Sequence, residues 1–190
     1  MKTNVKTVVD KYLEYYPNED LSKLLLLLGH NMDNKSNLFN RKNFEGHITA
    51  SGYIYALKTS KLLLLEHKAL NKYLQPGGHV EVIDDSIIDT ARREIKEETG
   101  LSNLKNINID EDVDVPFDIN SHFIPENEKK KEEGHYHHDF RYLFVVENEE
   151  NVILDSNESN NYEWIDINTI LDSDLYGLSI KKILKIVGDK

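Results

Sequence analysis

Three glutamates, Glu94, Glu97 and Glu98, stand at positions i, i+3 and i+4 of a run from Asp85 to Thr99 whose apolar residues recur at helical spacing. At one residue per about 100° they share an arc no wider than about 100°, beside a stripe of Ile88, Ala91, Ile95 and Thr99 that would face a sheet. Like charges at these spacings destabilise a helix, and more so near low dielectric. A hard divalent cation offsets that cost, because Mg²⁺, or Mn²⁺ in its place, takes oxygen ligands and two or three clustered carboxylates supply much of the shell. Just upstream, Gly77-Gly78 lets backbone approach the same spot, so the Gly77 carbonyl joins the candidate ligands. The plainer alternative is a solvated acidic face paired with Arg93 and Lys96, as in a small interaction protein. The double glycine, the adjoining apolar stripe and the terminal Gly100 weigh towards the metal.

Histidines are the second chemistry-bearing set. His135 and His137 alternate in a strand-like run and would present both rings on one face, which suits a transition metal, but no third ligand is defined. A polar strand entrance explains them as well. His79 follows the double glycine and could touch a substrate phosphate, or bond only to its own turn.

The elements that must position these groups follow from periodicity. Thr3 to Tyr16 reads as an amphipathic helix ended by Pro17, and a second helix runs from a cap at Asp20 or Ser22 through Leu28 with Gly29 as its stop. His30 to Asn43 reads as loop. Ile48 to Leu57 and Leu62 to His67 form a hairpin, Tyr73 to Gln75 a brief strand, and Pro76-Gly77-Gly78 a turn. After the acidic helix, strands are expected near Ile107 to Val115, Tyr136 to Val146 and Tyr162 to Ile165. Glu126 to Gly134 is a charged loop, a short helix starts at Asp166, and the last helix spans Leu178 to Val187. Strands mixed with helices favour an α/β or α+β layered domain. Residues 1–43 are expected to be a helical extension packed on the main domain, or a homodimer contact, and residues 44–190 the main domain.

Composition narrows the function. The 190 residues carry a formal net charge of −11, which repels phosphate backbones and anionic membranes, so neither nucleic acid nor membrane is an expected partner. An anionic small substrate needs a cation or a local basic patch. Absence of cysteine removes disulfides, thiolate metal sites and a Cys nucleophile. No apolar run approaches a membrane span, and Met1 to Asp20 lacks a signal pattern, so the expected location is the cytoplasm.

Arg93-Glu94-Ile95-Lys96-Glu97-Glu98-Thr99-Gly100-Leu101 resembles the second half of the Nudix hydrolase signature, G-x5-E-x7-R-E-U-x-E-E-x-G-U, at every specified position. The first half departs: eight residues before Arg93 stands Asp85, and Gly78 lies seven before that. Gly46 to Ser51, Gln75 to His79 and His138 to Tyr142 are similar to a bacterial subgroup with an N-terminal helical extension. The resemblance implies an α/β/α sandwich around a mixed sheet that hydrolyses a diphosphate linkage in a nucleotide or nucleoside diphosphate derivative. It implies Glu94, Glu97, Glu98 and Gly77 as metal ligands and Glu94 or Glu97 as the proton acceptor. Arg93 would hold Asp85 or a neighbouring Glu, or else pair with Asp89. The family often takes a further carboxylate from outside the signature, here Glu158, with Glu147 in reserve. Pro116, fifteen residues after Leu101, leans towards ADP-ribose or a nucleotide sugar, and the lack of cysteine argues against the isopentenyl diphosphate isomerase branch. Tyr53, Tyr55, Phe117, Phe140, Tyr142 and Trp164 could include a base-stacking surface, with buried core as their default. A sensor that binds the ligand without turnover is the alternative, although it has less need of all three glutamates.

Overall fold

The computed structural model describes residues 3–32, 37–107, 109–110, 112–128 and 131–188. The order is α1 (Val5–Tyr15), α2 (Ser22–Met32), β1 (Gly46–Ala56), β2 (Lys61–His67), β3 (Lys72–Leu74), β4 (Gly77–His79), α3 (Ile87–Thr99), β5 (Lys105–Asn106), β6 (Asp118–Ile124), β7 (His135–Val146), β8 (Ser159–Asp166), a 3₁₀ turn (Ile167–Thr169) and α4 (Gly177–Gly188). Part of the expected loop at 30–43, residues 33–36, lies outside the described residues.

A mixed sheet of eight strands organises the chain, with β3-β2-β1-β7-β5 as its main path. β1 and β7 run parallel in continuous register from Gly46↔Tyr136 to Ala56↔Val146. On its other side β1 divides its partners: Tyr55 and Ala56 pair with β2, while Thr49, Ala50 and Ser51 pair with β4. The sheet therefore splits beside the first half of β1, and the cleft described below opens there.

Alternation along the two central strands decides what each face carries. Even positions, Ile48, Ala50, Ile54 and Ala56 with Phe140, Tyr142, Phe144 and Val146, join one core. Onto it pack Val5, Val8, Val9 and Tyr12 of α1, Leu24 and Leu27 of α2, and Ile87, Ile88, Ala91 and Ile95 of α3. Odd positions further along, Tyr53, Tyr55, Leu143 and Val145, belong to a second core closed by Ile180 and Ile183 of α4. The helices thus cover both faces of the sheet, giving the expected layered α+β architecture. No helix among the described residues is long and apolar enough to cross a membrane.

Several local expectations are corrected. α2 runs through Gly29 to Met32, because among the described glycines only Gly100 takes the positive φ of a helix-ending cap. Gly77 and Gly78 form a strand rather than a turn: a Cβ on Gly77 would lie 2.7 Å from the Ala50 carbonyl oxygen, so these glycines serve close approach. No strand occupies the described part of 107–115. There Asp110 Oδ1 accepts from the N–H groups of Asp112 and Val113, and this local bonding competes with a ladder. α3 begins at an N-cap, Ser86, whose hydroxyl accepts from the Asp89 N–H, and ends at Gly100 with φ 72°.

Candidate active site

Arg93 is the hub of the acidic helix. Its Nε and Nη2 donate to the two oxygens of Asp84, each at 3.0 Å, Nη1 reaches Glu94 at 2.8 Å and Glu97 at 3.0 Å, and Nη2 also reaches the His79 carbonyl at 2.8 Å. Asp84 is buried and accepts further from the Glu81 N–H and the Thr90 hydroxyl. Burial pushes its carboxyl up, but these donors outweigh burial and hold it below the ordinary value. The expected partner Asp85 is exposed and lies outside the cleft, and Asp89 bonds instead with the Ser86 hydroxyl. Asp84 stands six residues after Gly78, as the signature requires. The extra residue therefore falls at the entrance to α3, between Asp84 and Arg93.

Glu98 is 7% exposed, and its Oε1 accepts the Gly77 N–H at 2.7 Å. Burial pushes its carboxyl up to about 8, with Gly77 opposing and Glu94, Glu158 and Asp155 adding to the rise. Burial raises Glu94 also, against the pull of Arg93. Glu97, at 56% side-chain exposure, faces solvent. A Cβ on Gly78 would lie 2.4 Å from Glu94 Oε1, so the second glycine leaves the space that Glu94 fills.

On β1 and β7 the odd positions nearest this helix are polar. The parallel register sets His47 beside His137, Thr49 beside Asp139 and Ser51 beside Arg141. Ser51 donates to Asp139 at 2.8 Å, while Arg141 pairs with Asp139 and with Asp118, both at 3.0 Å. This buried network ties the cleft floor to β6 and, through Ser179, to α4. Histidines crowd its open end. Ring centroids of His47 lie 5.1 Å from His79, 4.8 Å from His135 and 4.8 Å from His137. Burial and the neighbouring imidazoles push His137 down to about 2, and His138, against His30 on the opposite face, down to about 3.

These groups converge on a cleft of about 620 Å³. Of the residues expected at a site, Gly77, His79, Arg93, Glu94, Glu97, Glu98 and Glu158 line it, and Asp85 does not. Glu147 pairs with Lys58 away from the cleft. Pro116 is buried outside the lining, and Tyr53, Tyr55, Phe117, Phe140 and Tyr142 are core. Trp164 bonds to the Glu150 carbonyl, so none of the candidate aromatics forms a stacking wall. Asp84, Asp139, His122, Arg41 and Lys68 were not foreseen. The count from Gly78 could have found Asp84, whereas the others depend on strand register and loop packing.

The donor set suits a hard cation. Among the described residues six carboxylates line the cleft, Glu81, Glu94, Glu97, Glu98, Asp139 and Glu158, against three basic side chains, Arg41, Lys68 and Arg93. Burial is the main cause of the raised Glu98 carboxyl, and Glu94, Glu158 and Asp155 add to it. Glu94, Glu97 and Glu98 offer oxygen donors of the kind Mg²⁺ prefers.

The NUDIX domain model matches residues 46–184. A relative from Lactococcus lactis subsp. cremoris (strain MG1363), described as a probable DHNTP pyrophosphohydrolase, is 32% identical over 148 residues, 75% of this chain and 80% of its own. Among solved structures, the E. coli dihydroneopterin triphosphate pyrophosphohydrolase superposes with a TM-score of 0.57 over 81% of this chain and 100% of its own, at 16% identity. A C. elegans Ap4A hydrolase complex gives 0.54 over 75% and 98%, at 21% identity, and a NUDIX-family hydrolase from Clostridium perfringens gives 0.54 over 72% and 95%, at 23%. The structural likenesses are of fold, and the model match extends over most of the chain. The protein belongs to the NUDIX domain family and is a hydrolase of pyrophosphate bonds.

Proposed function

We propose that the protein cleaves a phosphoanhydride of a small organic di- or triphosphate in the cytoplasm, with Mg²⁺, or Mn²⁺ in its place, held by Glu94, Glu97, Glu98 and the Gly77 carbonyl. The observation that carries this reading is the convergence of Gly77, Glu94, Glu97 and the buried Glu98 on one cleft. When bound, the cation would stabilise negative charge on the phosphoryl oxygens. Glu97, exposed at the rim, accepts the proton of the attacking water, with Glu94 as the inner candidate. Arg93 is a positioning residue that orients Glu94 and Glu97 and fastens them to Asp84. His79 and Lys68 face the space a phosphate would fill, and Glu158 completes the acidic rim.

For the substrate, the name of the Lactococcus relative favours DHNTP or a similar heteroaromatic triphosphate. The lean towards ADP-ribose draws on Pro116, which is buried outside the cleft lining, so the site adds no support to it. Residues 1–43 serve as a helical extension, and exposed Leu21, Leu25 and Leu26 offer a homodimer face that solution mass would test.

The deciding experiment is turnover against DHNTP, ADP-ribose, nucleotide sugars, dinucleoside polyphosphates and nucleoside triphosphates, with Mg²⁺ and then Mn²⁺, beside Glu98→Gln. Metal-dependent release of pyrophosphate or phosphate, lost in the variant, is expected. A variant as active as the wild type would overturn the ligand assignment.

A further inference from the structure

We propose that His47, His79 and His137 form a second metal centre in the same cleft, one that takes a borderline transition-metal ion such as Zn²⁺ rather than Mg²⁺. Three strands supply one imidazole each, β1, β4 and β7, and one nitrogen from each ring lies within 4.8 Å of the other two. Some point lies no more than about 2.8 Å from all three nitrogens so placed, and a zinc–imidazole bond is about 2.0–2.1 Å. Each ring must therefore move inward by less than about 1 Å, within reach of small side-chain rotations.

Hydrogen bonding sets two of the three rings, His47 and His137, for this task. The Asn43 carbonyl can only accept, so His47 donates to it from Nδ1 at 3.1 Å. Its Nε2 is then left with a lone pair, buried and without a hydrogen-bond partner. An orienting bond from one ring nitrogen to a carbonyl, with the other nitrogen bare, is the usual arrangement of a histidine ligand. By the same logic His135 donates from Nδ1 to the Glu133 carbonyl, and its Nε2 in the neutral ring accepts from His137 Nε2 at 3.2 Å, which leaves His137 Nδ1 with its lone pair.

Imidazole nitrogens suit Zn²⁺ and its neighbours in the first row, whereas the glutamates of α3 suit Mg²⁺. Three protein ligands leave a coordination position open, as in catalytic zinc sites. His79 and His137 line the cleft together with Glu97 and Glu98, so the open position would receive an oxygen of the substrate that those glutamates handle.

The test is metal uptake, which does not depend on turnover. The tag-free chain is titrated with Zn²⁺ in excess Mg²⁺ by calorimetry, and with Co²⁺ by visible absorption, beside His79→Asn, His137→Gln and Glu98→Gln. One Zn²⁺ taken up despite Mg²⁺, kept by Glu98→Gln and lost by either histidine variant with an unchanged metal-free melting temperature, is expected. Should His137→Gln fail to fold, His79→Asn on the short β4 decides. Uptake absent from the wild type, or equal in the histidine variants, overturns the proposal.

Discussion

Arg93 satisfies three carboxylates and a carbonyl with one guanidinium, so its removal leaves several groups unpaired at once. Asp84, with a side chain 4% exposed, carries the inner half of that pairing. Breaking a buried pair from one side costs about 3–5 kcal/mol. Asp84→Ala should therefore lower unfolding free energy by that order in urea titrations, while Asp85→Ala at an exposed position should fall within about 0.5 kcal/mol of wild type. Equal effects would reject the assignment of Asp84 as the Arg93 partner. The distinction was not legible by counting back from Arg93, because the extra residue shifts Asp85 into the expected place. Glu94, Glu97 and Glu98 were legible because helical spacing alone sets them on one arc. A second residue-scale prediction concerns Glu98. Its folded value, about 8, lies above the ordinary 4.5, so the folded state keeps a proton that the unfolded chain releases between those values. Without metal, stability from this group is present below about 4.5 and is lost as pH rises to about 8. Glu98→Gln should then raise the metal-free unfolding free energy at pH 8, by an amount on the order of a few kcal/mol, and with it the melting temperature. It should also abolish the rise caused by Mg²⁺. A metal-free variant that melts no higher than wild type at that pH would contradict the buried-carboxyl account.

At the scale of elements, β4 is only three residues long yet joins the sheet to the acidic helix. Gly77 sits against β1, and Gly78 leaves the volume that Glu94 occupies. Gly78→Ala places a methyl 2.4 Å from Glu94 Oε1, so Glu94 must leave its position. Activity should drop at least tenfold, with circular dichroism and the metal-free melting temperature close to wild type, since the added methyl meets only the far end of the flexible Glu94 side chain. Unchanged turnover would detach Glu94 from the reaction. The sequence signalled α3 through its period, its Ser86 cap and Gly100, and it signalled β1 and β2 through their apolar runs. It did not signal β4, since a Pro-Gly-Gly run reads as a turn on propensity, and the pairing with Ser51 that overrides propensity is a tertiary fact. His47 and His79 were visible only as isolated residues near strand ends, because the register that gathers them is not a local property.

At the scale of the whole molecule, buried histidines set the acid limit. His137 and His138 keep their neutral form down to about 2 and about 3, whereas the unfolded chain takes up protons near 6.5. The unfolded state binds more protons as pH falls through 6.5, so the stability these groups contribute is present above that value and declines below it. Below about 6.5 the two histidines together outweigh the opposing Glu98, so the melting temperature should fall from pH 6 to pH 5, and His138→Asn should flatten that slope. A profile equally steep in the variant would remove His138 from the account. The net charge of −11 draws divalent ions in, and their affinity should weaken as salt rises.

The parallel pairing of β1 with β7 bears on how the chain reaches this state. Thr49 and Asp139, ninety residues apart, are neighbours only after the intervening hairpin, β4 and α3 have been gathered into one loop. Closing that loop costs entropy before any of its contacts form, and topologies of this kind fold slowly. The imidazoles of His47 and His137 come together in that same step. A chain still emerging from the ribosome therefore has all three glutamates of the acidic run before β7, and with it the cleft, can form. Its ability to bind a transition metal would mark the moment at which folding, rather than synthesis, is finished.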